Sequence, residues 1–231
     1  MVRGVFFDAG NTIVFPDYYI YRDICEALGV EAGIDDIIGA EAGARAAFDE
    51  AVSGSPGKDV HGFWSIYYTP FYELLHVPEE SIPDAIEMTR VANDNALGIW
   101  CEPVEGLGEV VGELRERDIA TGVISNSDGK VEWRLEQLGI RDLFDFVIDS
   151  AIVGISKPDR RIFQDALKRS GLEPSEAVYV GDYYEVDVRG ARAAGMIPVL
   201  FDPVEAYPEV DCEVIARFRD IVDVIDDMRS D

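Results

Sequence analysis

Four short segments carry the residues whose types can do chemistry. Asp8 closes an apolar run in Val5-Phe6-Phe7-Asp8-Ala9-Gly10-Asn11-Thr12. Ser125 and Asn126 close a second, Val123-Ile124-Ser125-Asn126. Lys157 lies in Ser156-Lys157-Pro158-Asp159. Asp182 and Asp187 lie in Gly181-Asp182-Tyr183-Tyr184-Glu185-Val186-Asp187. Gathered in one crevice, Asp8, Asp182 and Asp187 would repel one another. A hard divalent cation relieves that repulsion, and Mg2+ suits a loose carboxylate site that also takes a phosphate. Lys157 adds a positive charge, and Thr12 and Ser125 add hydroxyl donors. N–H groups in the loop after Asp8, and at a helix start after Ser125, form an anion cradle. The set fits a carboxylate nucleophile attacking an electrophile that carries negative charge. Phosphoryl transfer is the natural match, because it needs positioning and charge neutralisation more than elaborate acid–base chemistry.

These segments can meet only if the fold brings them together. Residues 2–7 are apolar and β-prone and run into Asp8, which reads as a buried strand followed by a tight loop. From about 18 to 98 the pattern turns helical, with apolar residues at three- and four-residue spacing over 18–28, 34–52, 63–75 and 82–97. Gly29, Gly33, Gly54-Ser55-Pro56-Gly57 and Val77-Pro78 mark the breaks. Helices then alternate with strands. Helices are expected over 104–117, 130–138, 160–169, 185–194 and 218–228. Strands are expected over 119–125, 146–148, 177–180, 197–201 and 212–215. That alternation implies an α/β fold, a doubly wound, Rossmann-like parallel sheet with helices on both faces. The expected division is a core of residues 1–16 and 99–231 with an inserted helical cap over 17–98. Ligands of such sheets bind at the carboxyl ends of the strands. Asp8, Ser125, Lys157 and Asp182 all end or follow strands, so one shared edge is expected.

The four segments resemble the signature motifs of the haloacid dehalogenase-like hydrolases, in that family's order and over nearly the whole chain. Behind Lys157 stand Ile162-Phe163, and behind Asp187 stands Gly190-Ala191-Arg192-Ala193-Ala194-Gly195-Met196, as in the family. The helical insert matches its helical cap type. The resemblance implies that Asp8 is the covalent nucleophile and a metal ligand, with the Gly10 carbonyl a second ligand. Asn11 and Thr12, the latter also supporting the loop, join Ser125 and the Asn126 backbone as substrate-binding residues, the last two binding the transferring group. Lys157 neutralises Asp8 and substrate. Asp182 binds Mg2+ and Asp187 supports it.

The chain departs from the family's phosphatases at Gly10, where a second Asp protonates the leaving group and then activates water. Glycine does no acid–base work. The leading expectation remains a Mg2+-dependent phosphatase of a small anionic metabolite. Tyr18, Tyr19 and Glu185 are candidate proton donors. A 2-haloacid dehalogenase is the first alternative, since halide leaves without a proton. Gly181-Asp182 and Asp187 count against it, because the family's dehalogenases lack that pair and use no metal. A hydrolase of carbon–phosphorus bonds is the second, and would need a cap lysine; Lys58 is the only one, in a loop. A non-catalytic relic that binds metal or phosphate is the third.

Composition narrows the partners. The net charge is −26, from 46 acidic and 20 basic residues, of which only Lys58, Lys130, Lys157 and Lys168 are lysines. Such a surface repels nucleic acid and anionic membranes. It suits work at high salt, where screening relieves self-repulsion, and equally an ordinary acidic enzyme. No apolar run reaches membrane-spanning length and no leader is visible, so a cytoplasmic monomer or homodimer is expected. Cys25, Cys101 and Cys212 lack metal or disulfide spacing. His61 and His76 lie outside metal-ligand spacing and read as structural or exposed. Phe63, Trp64, Tyr67, Tyr68, Phe71 and Tyr72 read as packing in the cap, and Arg45 as an exposed helix residue.

Overall fold

The protein is described by a computed structural model over residues 1–53, 62–95 and 97–230; Lys58 and His61 fall outside these. The first elements are β1 (Gly4–Phe7), β2 (Val14–Pro16), α1 (Tyr18–Ala27), α2 (Ile34–Val52), α3 (Phe63–Leu74) and α4 (Ile82–Asp94). Next come β3 (Trp100–Pro103), α5 (Leu107–Glu116), β4 (Ala120–Ser125), α6 (Val131–Gln137), β5 (Phe146–Asp149) and α7 (Ser150–Val153). The rest are α8 (Arg160–Ser170), β6 (Ala177–Gly181), α9 (Arg189–Ala193), β7 (Ile197–Phe201), β8 (Glu213–Ile215) and α10 (Asp220–Ser230). Two compact units divide the chain. One comprises Met1–Phe15, Pro103–Pro203 and Val210–Asp231; the other comprises Pro16–Glu102 and Val204–Glu209.

The first unit is built on a six-stranded parallel sheet in the order β5-β4-β1-β6-β7-β8. Helices cover its two faces, so its central strands are apolar almost without interruption. All of Val5, Phe6, Phe7, Val123, Ile124, Val178 and Val180 are fully buried. Phe7 lies opposite Val123 on one side and Val180 on the other. That register brings the ends of β4, β1 and β6 to one level. Helix α8 shows how a helix is fixed to the sheet. The Asp159 carboxylate accepts from the Arg161 N–H to start it, and Gly171 at φ 67° ends it. Its Ile162, Phe163, Ala166 and Leu167 are buried on one face, each large one contributing about 2 kcal/mol.

The structure departs from the sequence pattern at several places. A second sheet pairs β2 with β3, which the expected elements omit. The helix expected from 104 begins at Leu107, because Gly106 takes φ 78°. The helix expected over 185–194 is broken in kind. Residues Tyr184–Val188 form a π-helical turn before α9 begins. The N–H groups of Asp187 and Val188 both reach the Tyr183 carbonyl, at 2.9 and 3.3 Å. Such wide turns often mark functional positions.

The second unit packs α1, α2 and α4 about the aromatic face of α3. Tyr67, Tyr68, Phe71 and Tyr72 are buried there, and the rings of Tyr21 and Phe71 lie 5.0 Å apart. Tyr21 and Tyr68 share a hydrogen bond at 2.9 Å. Arg45 corrects the sequence reading: it is fully buried, not exposed. On α2 it sits one turn from Glu41 and one turn from Asp49, both buried, with Glu41 Oε2 at 3.8 Å. Tyr18 donates to Glu41 at 2.8 Å and Tyr207 to Asp49 at 2.7 Å. Opposite charge at i−4 and i+4 is what lets α2 turn a charged stripe inward. Among the described residues no helix is long and apolar enough to cross a membrane.

Candidate active site

Asp8 follows β1, Ser125 ends β4, and Asp182 follows β6, so three neighbouring strands deliver their polar residues to one edge. The Asp8 N–H extends the β1–β6 ladder by donating to the Val180 carbonyl at 2.8 Å. After Asp8 the chain turns sharply. The Ala9 carbonyl accepts from Ile13 at 3.0 Å and Val14 at 2.9 Å, and Asn11 takes φ 53° at the tip. Asparagine tolerates that left-handed geometry better than most residues. Gly10 bridges to Val14. Thr12 Oγ1 and Asn11 Oδ1 are buried without a hydrogen-bond partner among the described residues, so the loop retains unspent polar groups.

Lys157 is the centre of the site. It is 3% exposed, and its Nζ donates to Asp8 Oδ1, to Asp187 Oδ1 at 2.8 Å and to Tyr179 Oη at 2.9 Å. All three ammonium hydrogens are thereby used. Burial disfavours the charged ammonium, but the Asp187 and Asp8 carboxylates outweigh it and hold its pKa above the ordinary lysine range. Asp8 is moved the other way. Burial pushes its pKa from 3.8 to about 6, against the pull of Lys157, while Asp187 pushes it up further.

The loop carrying Lys157 is fastened to the loop after β4. Lys157 N–H donates to Asn126 Oδ1 at 2.8 Å, and Asn126 Nδ2 donates to the Lys157 carbonyl at 3.0 Å. The Asn126 side chain is therefore committed to the protein, which leaves its backbone for a ligand. Asp149, on β5 beside Ser125, braces the same loop by accepting from Gly129 N, Val131 N and Ala151 N at 3.1, 3.2 and 2.9 Å.

Asp187 is held from both sides. Its Oδ1 accepts from Lys157 and its Oδ2 accepts from Tyr183 N at 3.0 Å. It packs against bare backbone: a Cβ on Gly181 would come within 2.6 Å of Asp187 Oδ2. This is the physical need for Gly before Asp182. One carboxylate oxygen from each of Asp8, Asp182 and Asp187 lies within 4.8 Å of the others, and all three residues are buried. Three carboxyl groups gather around a single ammonium, so acidic groups outnumber the basic one. Hard oxygen donors with excess negative charge fit a divalent cation such as Mg2+.

The structure thus brings Asp8, Lys157, Asp182 and Asp187 together, and puts Ser125 and Asn126 on the adjoining strand end. Asn11 and Thr12 lie in the loop that follows Asp8. Two of the three candidate proton donors are otherwise engaged: Tyr18 donates to Glu41, and Glu185 pairs with Arg189 at 2.9 Å; Tyr19 is exposed. Sequence reasoning missed Tyr179, which sits within an apolar strand and reads as core.

The family profile of the haloacid dehalogenase-like hydrolases matches residues 2–195. Haloacid dehalogenase-like hydrolase domain-containing protein 3 of Mus musculus is 41% identical over 119 residues, 50% of this chain and 47% of that one. The chain thus spans about half the length of this relative. Matches to phosphatases are longer. Glyceraldehyde 3-phosphate phosphatase of Methanopyrus kandleri is 27% identical over 100% of both chains. Phosphoserine phosphatase of Thermus thermophilus is 31% identical over 84% of this chain and 86% of that one. Among solved structures, a HAD phosphatase from Thermococcus onnurineus superposes with TM-score 0.59 at 21% identity, covering 97% and 98% of the two chains. A 2-haloacid dehalogenase from Pseudomonas syringae superposes with TM-score 0.57 at 20% identity, covering 99% and 100%. The fold is common to both chemistries and does not choose between them. With all four motif segments on one sheet edge and the family profile spanning most of its length, the chain belongs to the haloacid dehalogenase-like hydrolases.

Proposed function

We propose that the protein is a Mg2+-dependent phosphatase of a small phosphorylated metabolite, working through a phosphoryl intermediate on Asp8. The observation that carries this reading is the cluster of Asp8, Asp182 and Asp187 around Lys157. A dehalogenase has no use for a cation site, whereas phosphoryl transfer needs its charge neutralised. Similarity to glyceraldehyde 3-phosphate and phosphoserine phosphatases over most of the chain supports the same choice.

Lys157 holds Asp8 Oδ1, which leaves Oδ2 to attack phosphorus. As the Oδ2–P bond forms, the bond from phosphorus to the leaving oxygen breaks, and that oxygen takes a proton from water. The hydroxide left behind takes a proton from a second water as that water's oxygen attacks phosphorus, the Oδ2–P bond breaks, and inorganic phosphate departs from a restored carboxylate. Bound Mg2+ would supply positive charge to the transferring phosphoryl oxygens. Asp8, Asp182 and the Gly10 carbonyl would hold it. Asp187, whose two oxygens both already accept hydrogen bonds, would orient this set. Ser125 Oγ and the Asn126 N–H would bind phosphoryl oxygens.

The test is phosphate release from p-nitrophenyl phosphate with and without Mg2+, alongside halide release from L-2-haloacids. Release of phosphate that needs Mg2+ and vanishes in Asp8→Asn is expected. Metal-independent halide release in place of phosphate release would overturn the reading.

A further inference from the structure

Tyr179 is a buried titratable residue that the proposed chemistry does not use. It lies in β6 opposite Phe6 of β1 and is 1% exposed. Its ring meets Phe163 edge-on, with centroids 5.0 Å apart. Packing alone would be served by phenylalanine. The hydroxyl instead lies at the meeting point of three motif segments. It accepts from Lys157 Nζ at 2.9 Å, and it is 3.0 Å from the Ile124 carbonyl and 3.3 Å from Asp187 Oδ1. A hydroxyl has one hydrogen to give. Asp187 Oδ1 is already served by Lys157 at 2.8 Å, and the carbonyl is the nearer acceptor. The chain of donation is therefore Lys157 N–H to Tyr179 O–H to the Ile124 carbonyl.

Ile124 is the residue before Ser125. The β1–β4 pairing ends at Phe7 and Val123, so the Ile124 carbonyl stands one residue past that ladder. The Tyr179 hydroxyl meets it there. We infer that Tyr179 is a positioning residue: its hydroxyl takes the third hydrogen of the Lys157 ammonium, turning the other two onto Asp8 and Asp187. It passes its own hydrogen to the peptide that carries Ser125. Lysine is a flexible point charge with three rotatable donors, so a third partner narrows the positions open to an ammonium that two carboxylates hold. The hydroxyl also ties the height of Lys157 to that of Ser125, the two groups that flank a transferring phosphoryl. This rests on the reading of Asp8 as nucleophile.

The experiment compares wild type, Asp8→Asn, Tyr179→Phe and Phe163→Leu in Mg2+-dependent hydrolysis of p-nitrophenyl phosphate, with Tm measured for each. Tyr179→Phe keeps the ring and removes one oxygen. It should lower kcat about 10- to 100-fold, since a hydrogen bond to a charged group is lost, with KM within about twofold. Its Tm should stay within about 5 °C of wild type. Phe163→Leu loosens the packing of the same ring without touching the hydroxyl; it should lower Tm while leaving kcat within about twofold. A wild-type kcat in Tyr179→Phe overturns the inference. So does a Tyr179→Phe protein that fails to fold, or a Phe163→Leu protein whose kcat falls with its Tm as far as that of Tyr179→Phe, because each makes the role structural. Activity retained in Asp8→Asn marks failure of the nucleophile reading instead.

Discussion

The backbone of Lys157 and the side chain of Asn126 hold one another by two reciprocal hydrogen bonds, 2.8 Å from Lys157 N–H to Asn126 Oδ1 and 3.0 Å from Asn126 Nδ2 to the Lys157 carbonyl. They join residues 31 positions apart. An amide is the only side chain of this length that donates and accepts at once. Asn126→Asp keeps the size but replaces the donor with an oxygen facing a carbonyl. It should therefore be no better than Asn126→Ala. Both should lose about 10- to 100-fold in kcat and about 1 kcal/mol of stability. Steady-state kinetics and urea unfolding check this; an Asp variant with wild-type kcat would show that the amide's donor is idle.

Asp8 gives the site a pH dependence. Burial raises its folded-state pKa from 3.8 to about 6. Between those values the folded, metal-free protein keeps a proton that the unfolded chain has lost. The stabilisation from neutral Asp8 is complete below 3.8 and is lost as pH rises through 6. On the proposed reading Mg2+ would compete for the same oxygens, so its affinity should rise about tenfold per pH unit up to about 6 and then level off. The Mg2+-induced increase in Tm should accordingly be larger at pH 7 than at pH 5, and Asp8→Asn should remove most of that difference. A Mg2+ effect equal at the two pH values in wild type would exclude Asp8 from the metal site.

Much of this was legible in the sequence, for definite reasons. A central parallel strand must be apolar on both faces, so Val5-Phe6-Phe7 ending in Asp8 states both the strand and the edge where its polar residue emerges. Lys157 was legible because a charge before Pro158 could be read only with its partners on other strand ends. Tyr179 was not, because a strand tyrosine is packing until the hydroxyl's neighbours are known. Arg45 was misread for a related reason. A helix exposes a charged stripe unless a second surface covers it, and covering depends on tertiary packing. The π-turn before α9 was equally hidden: nothing in Tyr184-Glu185-Val186-Asp187 announces that two N–H groups will share the Tyr183 carbonyl.

The excess of 46 acidic over 20 basic residues should make stability strongly salt-dependent. Self-repulsion among exposed charges destabilises the compact state, and the Debye length falls from about 10 Å at 0.1 M salt to about 3 Å at 1 M. Tm should climb steeply in KCl up to about 1 M, where screening is largely complete. Unchanged Tm over that range would mean that the acidic groups are already offset locally, as Asp159 is by Arg161 and Glu113 by Arg117.

Gly10 sets the last expectation. Lys157 spends all its hydrogens on Asp8, Asp187 and Tyr179, and its pKa is held high, so it is a poor acid toward a leaving group. If the protein is the phosphatase proposed, then without a carboxyl at position 10 departure of the leaving oxygen depends on that oxygen's own basicity. Aryl phosphates leave well unaided and alkyl phosphates do not. Wild-type kcat should therefore favour aryl over alkyl phosphates steeply. Gly10→Asp restores an acid two residues after Asp8. It should raise kcat on alkyl phosphates about 10²-fold, the low end of general-acid effects, and change aryl phosphates far less. The measurement is kcat against leaving-group pKa for a series of phosphate monoesters: the slope should flatten in the variant. Equal slopes in both proteins would show that another group already protonates the leaving oxygen.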